Sequence, residues 1–94
     1  MIGVLTHHWS KDGTFDKARA LLDGNGLAQS KAPGFVSRIT LLSREDTSQI
    51  TSIVVWENDQ IYDEWKQSKE RELAMQGAAS LWAKSPASQR FDIP

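Results

Sequence analysis

The chain has 94 residues and a mass of 10.5 kDa, room for one domain with one core. Eleven Lys and Arg against twelve Asp and Glu give a formal net charge of −1, and the cations scatter from Lys11 to Arg90, which excludes the basic stripe of a nucleic-acid-binding surface. Cysteine is absent, so disulfides, thiol nucleophiles and Cys-ligated metals or clusters are excluded.

Met1 to Trp9 reads as a first strand, ended by the turn residues Ser10-Lys11-Asp12-Gly13. Its opening, Met1 to Thr6, lacks the basic segment and long apolar run of a signal peptide. Thr14 is placed to cap a helix whose apolar stripe is Phe15, Ala18, Leu21 and Leu22. Gly24-Asn25-Gly26 is expected to interrupt that helix, with one more turn over 27–31 before Pro33 forbids continuation. Phe35 to Leu42 is the second strand, and the polar stretch from Ser43 to Ser48 suits a hairpin loop. Gln49 to Trp56 is the third strand and contains the longest strongly apolar run, Ile53 to Trp56, far too short to span a membrane. A cytoplasmic location is the expectation. Asn58 caps a second helix with Ile61, Tyr62 and Trp65 on its inner side, and the helical pattern runs past Ser68 to Leu73, Ala74 and Gly77 with a kink. A looser stretch from Gly77 to Pro86 leads into a short last strand, Gln89 to Ile93.

Strand, helix, strand, strand, helix, strand is the split βαβ order of the ferredoxin-like α+β fold, an antiparallel sheet with both helices on one face. A sheet covered on one side should turn polar residues to the other. Strands two and three instead carry large apolar residues on both faces: Phe35, Ile39, Leu41 against Val36, Leu42, and Ile50, Val54, Trp56 against Ile53, Val55. Leu, Ile, Val and Phe number only 21 of 94 residues, a thin core for an isolated chain even with four Trp to enlarge it. A second copy packed sheet to sheet resolves both points, so a homodimer is expected.

Three segments carry a resemblance: Ala32-Pro33-Gly34-Phe35 with Ser37-Arg38 after it, Val54-Val55-Trp56-Glu57, and Tyr62-Asp63-Glu64-Trp65 followed by Ser68. In order and spacing these resemble the antibiotic biosynthesis monooxygenase (ABM) domain of the dimeric α/β-barrel superfamily, over nearly the whole chain and as a single domain, 1–94. The resemblance implies two sheets closing into a barrel across a dimer. It also implies a pocket between sheet and helices, and either cofactor-free oxygenation of a small phenol- or quinol-like aromatic or, in another branch, binding and degradation of haem. The haem branch's Asn, Trp and His fall on His7, Trp65 and Met75, of which only the Trp is kept. His7 or Met75 would then be the available iron ligands. A third implication is a dimer that binds a small ligand without turnover.

Candidate residues follow. Neighbouring strand residues point to opposite faces, so His7 and His8 cannot ligate one metal together, and no metal-ligand spacing surrounds them. By family position His7 is the one assigned to the pocket, as a base or hydrogen-bond donor to a substrate oxygen. An edge histidine satisfied by the backbone is the alternative. Arg38, flanked by apolar residues on a central strand, would steady a phenolate or peroxide anion, or else pair with Glu57 or another acid. Trp65 and Tyr62 either pack the helix on the sheet or wall the pocket, and Trp82 either lids it or anchors its loop. No phosphate-cradling loop, nucleophile elbow or distinctive carboxylate pair is present, and no flavin or nicotinamide site is indicated.

Overall fold

The computed structural model describes residues 1–94. Four strands, β1 (Ile2–Trp9), β2 (Phe35–Leu42), β3 (Gln49–Trp56) and β4 (Ala87–Asp92), form one antiparallel sheet in the order β2-β3-β1-β4. Helices α1 (Phe15–Gln29), α2 (Asp59–Lys66) and α3 (Lys69–Ala74), with a 3₁₀ turn at Ala78–Leu81, complete the expected α+β ferredoxin-like fold. The sheet is open and does not close into a barrel within the chain. No helix is long and apolar enough to cross a membrane.

Strand alternation assigns the two faces. Ile2 and Val4 of β1 and Ile50, Val54 and Trp56 of β3 are buried toward the helices. Trp56, fully buried, stacks on Trp65 of α2 at 6.0 Å and meets Phe35 edge-on at 5.8 Å. A second cluster, Ala18, Leu22 and Ile50, seats α1 on the far end of the sheet. On the opposite face, register aligns Ile39, Ile53 and Leu5 in one row, with Leu41, Thr51 and His7 in the next. Ile39 and Leu41 there are 55% and 46% exposed, so the uncovered apolar face inferred from patterning is real.

Local signals fared unevenly. Asn58 caps α2 as expected, its Oδ1 accepting from Ile61 N at 2.9 Å. Thr14 occupies the N-cap of α1 without a side-chain cap bond, its hydroxyl donating to Lys11 O at 2.8 Å. The expected break at Gly24-Asn25-Gly26 does not occur; α1 runs through it, because burial of Asn25, Gly26 and Gln29 against the sheet overrides the low helix propensity of glycine. The kink after α2 is a full break, with Ser68 starting α3 by accepting from Arg71 N at 3.1 Å.

Candidate functional site

Between the helices and the sheet lies a cavity of about 510 Å³. Its floor is the helix side of β1, β2 and β3, and α1 walls one side through Leu22, Asn25 and Gln29. Tyr62 and Trp65 of α2, Arg71 of α3, Met75 just after it and Trp82 complete its lining.

The structure brings four of the five sequence candidates together here: Arg38, Tyr62, Trp65 and Trp82. His7 is not among them. It lies one residue out of phase with Ile2 and Val4, on the uncovered face, with Nδ1 2.7 Å from Thr51 Oγ1 and its ring 5.8 Å from Trp9. The assignment of His7 to the pocket is therefore corrected: the histidine in the cavity is His8, buried and tilted against Trp82 at 4.5 Å between ring centroids. Trp82 is fixed in turn by an isolated bridge to Ser10 and by Ala83 N donating to Trp9 O at 2.7 Å. Burial, then the charges of Arg38 and Arg71, push His8 down from 6.5 to about 4, so its imidazole is neutral at pH 7.

Arg38 stands opposite Val54 in the sheet register, which turns it toward α1. Its Nη1 donates to Gln29 Oε1 at 2.6 Å and its Nη2 to Leu22 O at 3.3 Å. No carboxylate reaches it; the ion pairs of the chain are Arg19 with Asp23 and Arg90 with Asp59 and Asp63. The expected partner Glu57 is exposed and bonds Arg38 nowhere. Burial pulls the guanidinium below its ordinary range, with Asp23 partly offsetting this at a distance. Gly26 makes the position possible, because a Cβ there would lie 2.7 Å from Arg38 Cδ and Nε.

Tyr62 and Trp65 serve packing and cavity at once. Trp65 is buried on Trp56, and Tyr62 lies 5.9 Å from Trp56 with the Arg90 guanidinium 4.7 Å above its ring. Arg90 reaches across from β4 to Asp59 at 2.9 Å and Asp63 at 2.5 Å, which ties the last strand to α2. Behind Trp65 a smaller space of about 250 Å³ is lined by Ala28, Ala32, Pro33 and Ile61.

Comparison with known proteins fits this geometry. The model of the family described as antibiotic biosynthesis monooxygenase matches residues 1–91. The chain belongs to that family. Among solved structures, an antibiotic biosynthesis monooxygenase superposes with a TM-score of 0.89 at 12% identity, covering 100% of this chain and 99% of that one. Rv0793 from Mycobacterium tuberculosis gives 0.88 at 15% identity, over 99% of this chain and 94% of that one. SnoaB from Streptomyces nogalater, a cofactor-independent oxygenase, gives 0.84 at 13% identity, over 99% and 93%. No curated protein matches this sequence at a significant level.

Of the two alternative iron ligands implied by the resemblance, His7 faces the uncovered side of the sheet, outside the cavity, while Met75 lines the cavity and packs with Ala18, Leu22 and Ile50.

Sequence reasoning missed His8, Asn25 and Gln29, and two signals pointed to them. Even positions of β1 carry Ile2 and Val4, whereas the odd set begins with Gly3, which has no side chain to bury. Asn25 and Gln29 extend the buried stripe of Ala18 and Leu22 at helical spacing, and a polar residue on a core stripe marks either a network or a site. Both hold here: Gln29 carries Arg38, while Asn25 Oδ1 is buried without a partner.

Proposed function

We propose that this ABM-family chain is a cofactor-independent monooxygenase of a small phenol- or quinol-like aromatic, bound in the 510 Å³ cavity. One observation carries the reading: a half-buried arginine without a carboxylate partner faces a cavity walled by Trp65, Trp82 and a neutral histidine. Burial is the larger cause of the lowered His8 value; the positive charges of Arg38 and Arg71, which add to it, are what favour loss of a proton from a ligand hydroxyl. In this scheme the neutral His8 accepts a hydrogen bond from the ligand hydroxyl, Arg38 stabilises the phenolate, and the hydroxyl proton passes to solvent. The electron-rich ring reduces O₂, and recombination forms a C–O bond to a ring hydroperoxide. Loss of the ring proton and cleavage of the O–O bond then release water and leave a quinone. The sum is phenol plus O₂ giving quinone plus water, with all four electrons supplied by the substrate. Trp65 and Tyr62 shape the pocket, and Trp82 fixes His8.

The working unit in this proposal is a homodimer formed through the uncovered sheet face, with Ile39 and Leu41 on the edge strand β2 and Phe91 on the opposite edge strand β4, all close to half exposed in the single chain. A stable interface of about 1,600 Å² would cover that face. His7 would then lie in the interface. A single sedimenting species of monomer mass at micromolar concentration would overturn the dimer.

Oxygen uptake with a panel of mono- and dihydroxy-aromatics tests the chemistry. Consumption above the no-enzyme rate with a matching quinone product is expected, reduced about 100-fold in Arg38→Gln. Tight binding without consumption would replace this reading with that of a ligand-binding dimer.

A further inference from the structure

The cavity is one-sided in charge. Three cations line it, Arg38, Lys66 and Arg71, and no acid does, although the whole chain carries twelve acids. These cations fall into two groups. Arg38 lies on the sheet floor with two of its five N–H donors committed to Gln29 and Leu22. Arg71, on α3, has a guanidinium with no hydrogen bond or ion pair, and Lys66, at the end of α2, has only the Tyr62 ring 5.3 Å beneath it. Both acids beside Arg71 in sequence, Glu70 and Glu72, are exposed and unpaired with it.

Asn25 adds an independent sign that something polar belongs inside. It is more than nine-tenths buried, lines the cavity, and leaves Oδ1 without a partner. Natural interiors rarely leave such an atom unpaired, because the desolvation cost is not recovered until a ligand bonds it.

We infer that the ligand carries a permanent carboxylate in addition to its ring hydroxyl, received in two-pronged fashion by Arg71 with Lys66 beside it. The ring hydroxyl points to Arg38, His8 and Asn25 at the other end. A planar guanidinium with all five donors free matches a carboxylate, a common permanent anion of small aromatics, through two parallel hydrogen bonds. The buried and already bonded Arg38 suits an oxygen that is charged only once its proton has left. His8 lines the same cavity and feels the charge of both Arg38 and Arg71. The inference names the substrate class of the site proposed above and rests on that cavity being the ligand site.

The test is calorimetric binding at pH 7 and low salt of 6-hydroxy-2-naphthoate and its methyl ester, two-ring probes with the groups at opposite ends. The acid is expected to bind at least about tenfold more tightly than the ester, with the preference shrinking as salt is added. Arg71→Gln should remove the preference while leaving the ester within about twofold of its original affinity, and Arg71→Lys should restore only part of it. Equal or tighter binding of the ester, equal weakening of both probes in Arg71→Gln, or no binding of either at millimolar concentration would overturn the inference. Oxygen uptake separates the two proposals. A carboxylate preference without uptake removes the oxygenase reading alone. Turnover of quinols indifferent to a carboxylate, with no preference in binding, removes this inference alone.

Discussion

Two glycines of α1, two residues apart, should respond oppositely to alanine. Gly24 has nothing within 4 Å of an added Cβ, and its backbone is helical. Gly24→Ala therefore gains the ordinary helix-propensity difference, about 0.5–1 kcal/mol, largely through a less flexible unfolded chain. Gly26→Ala gains the same, but its Cβ would sit 2.7 Å from Arg38 Cδ and Nε. Something must move, and Arg38 is the freer group. Its displacement breaks the 2.6 Å bond to Gln29 and the 3.3 Å bond to Leu22, leaving Gln29 buried. Hydrogen bonds to a charged group contribute about 1.5–3 kcal/mol each, the longer one less. The expected net is a loss of about 1–2 kcal/mol for Gly26→Ala against a gain for Gly24→Ala. Urea denaturation at constant m-value measures both as shifts of the midpoint in opposite directions. A third variant isolates the cause: in an Arg38→Ala background the steric conflict is gone, and Gly26→Ala should turn stabilising. If Gly26→Ala raised the midpoint as much as Gly24→Ala in the native background, the argument that glycine makes room for a held arginine would fail.

The folded-state value of His8, about 4 against 6.5, means the unfolded chain binds the extra proton. Stability from this group is thus complete above about pH 6.5 and lost as pH falls toward 4. The loss is about 2 kcal/mol after allowance for residual screening, and His8→Gln should flatten that limb of the pH–stability curve. Gly34 has φ of +79° and a Cβ there would meet Ile61 at 2.5 Å, so Gly34→Ala should cost at least about 1–2 kcal/mol in urea denaturation. Ser68→Ala should cost about 1 kcal/mol by removing the cap that starts α3, while Ser68→Asp should retain most of it. Ile39→Asp places a charge on the uncovered face, 55% exposed on its edge strand β2, and should shift sedimentation from dimer to monomer without changing helical content by circular dichroism.

Much of the fold was legible along the chain because its signals are local. The turn at Ser10–Gly13, the Asn58 cap and the alternation in β3 each depend on a few neighbouring residues, and each appears where it was expected. The break at Gly24–Gly26 failed for the opposite reason. Propensity disfavoured a helix there, but the segment is held by Asn25, Gly26 and Gln29 packing on the sheet, information that sits tens of residues away. The candidate site was half legible. Arg38, Tyr62, Trp65 and Trp82 declared themselves by chemistry out of place or by aromatic spacing, and they do share one cavity. Analogy of position favours His7, whereas the apolar phase of Ile2 and Val4 points to His8, the residue the fold turns toward the helices.

The sequence by itself determined the order of elements, the ferredoxin-like topology and an excess of apolar surface on the sheet. All three follow from periodicities of 2 and 3.6 residues that are read locally along the chain. Only the tertiary structure decided which histidine faces the helices, because a one-residue change of phase inverts every side chain of a strand. It alone brought Arg38 against Gly26 and Gln29, and Arg71 into the same cavity, since those contacts join α1, β2 and α3 across gaps no local pattern spans. Charge makes the difference plain. Along the chain acids and bases nearly cancel, and folding sorts them, leaving three cations and no acid around one cavity.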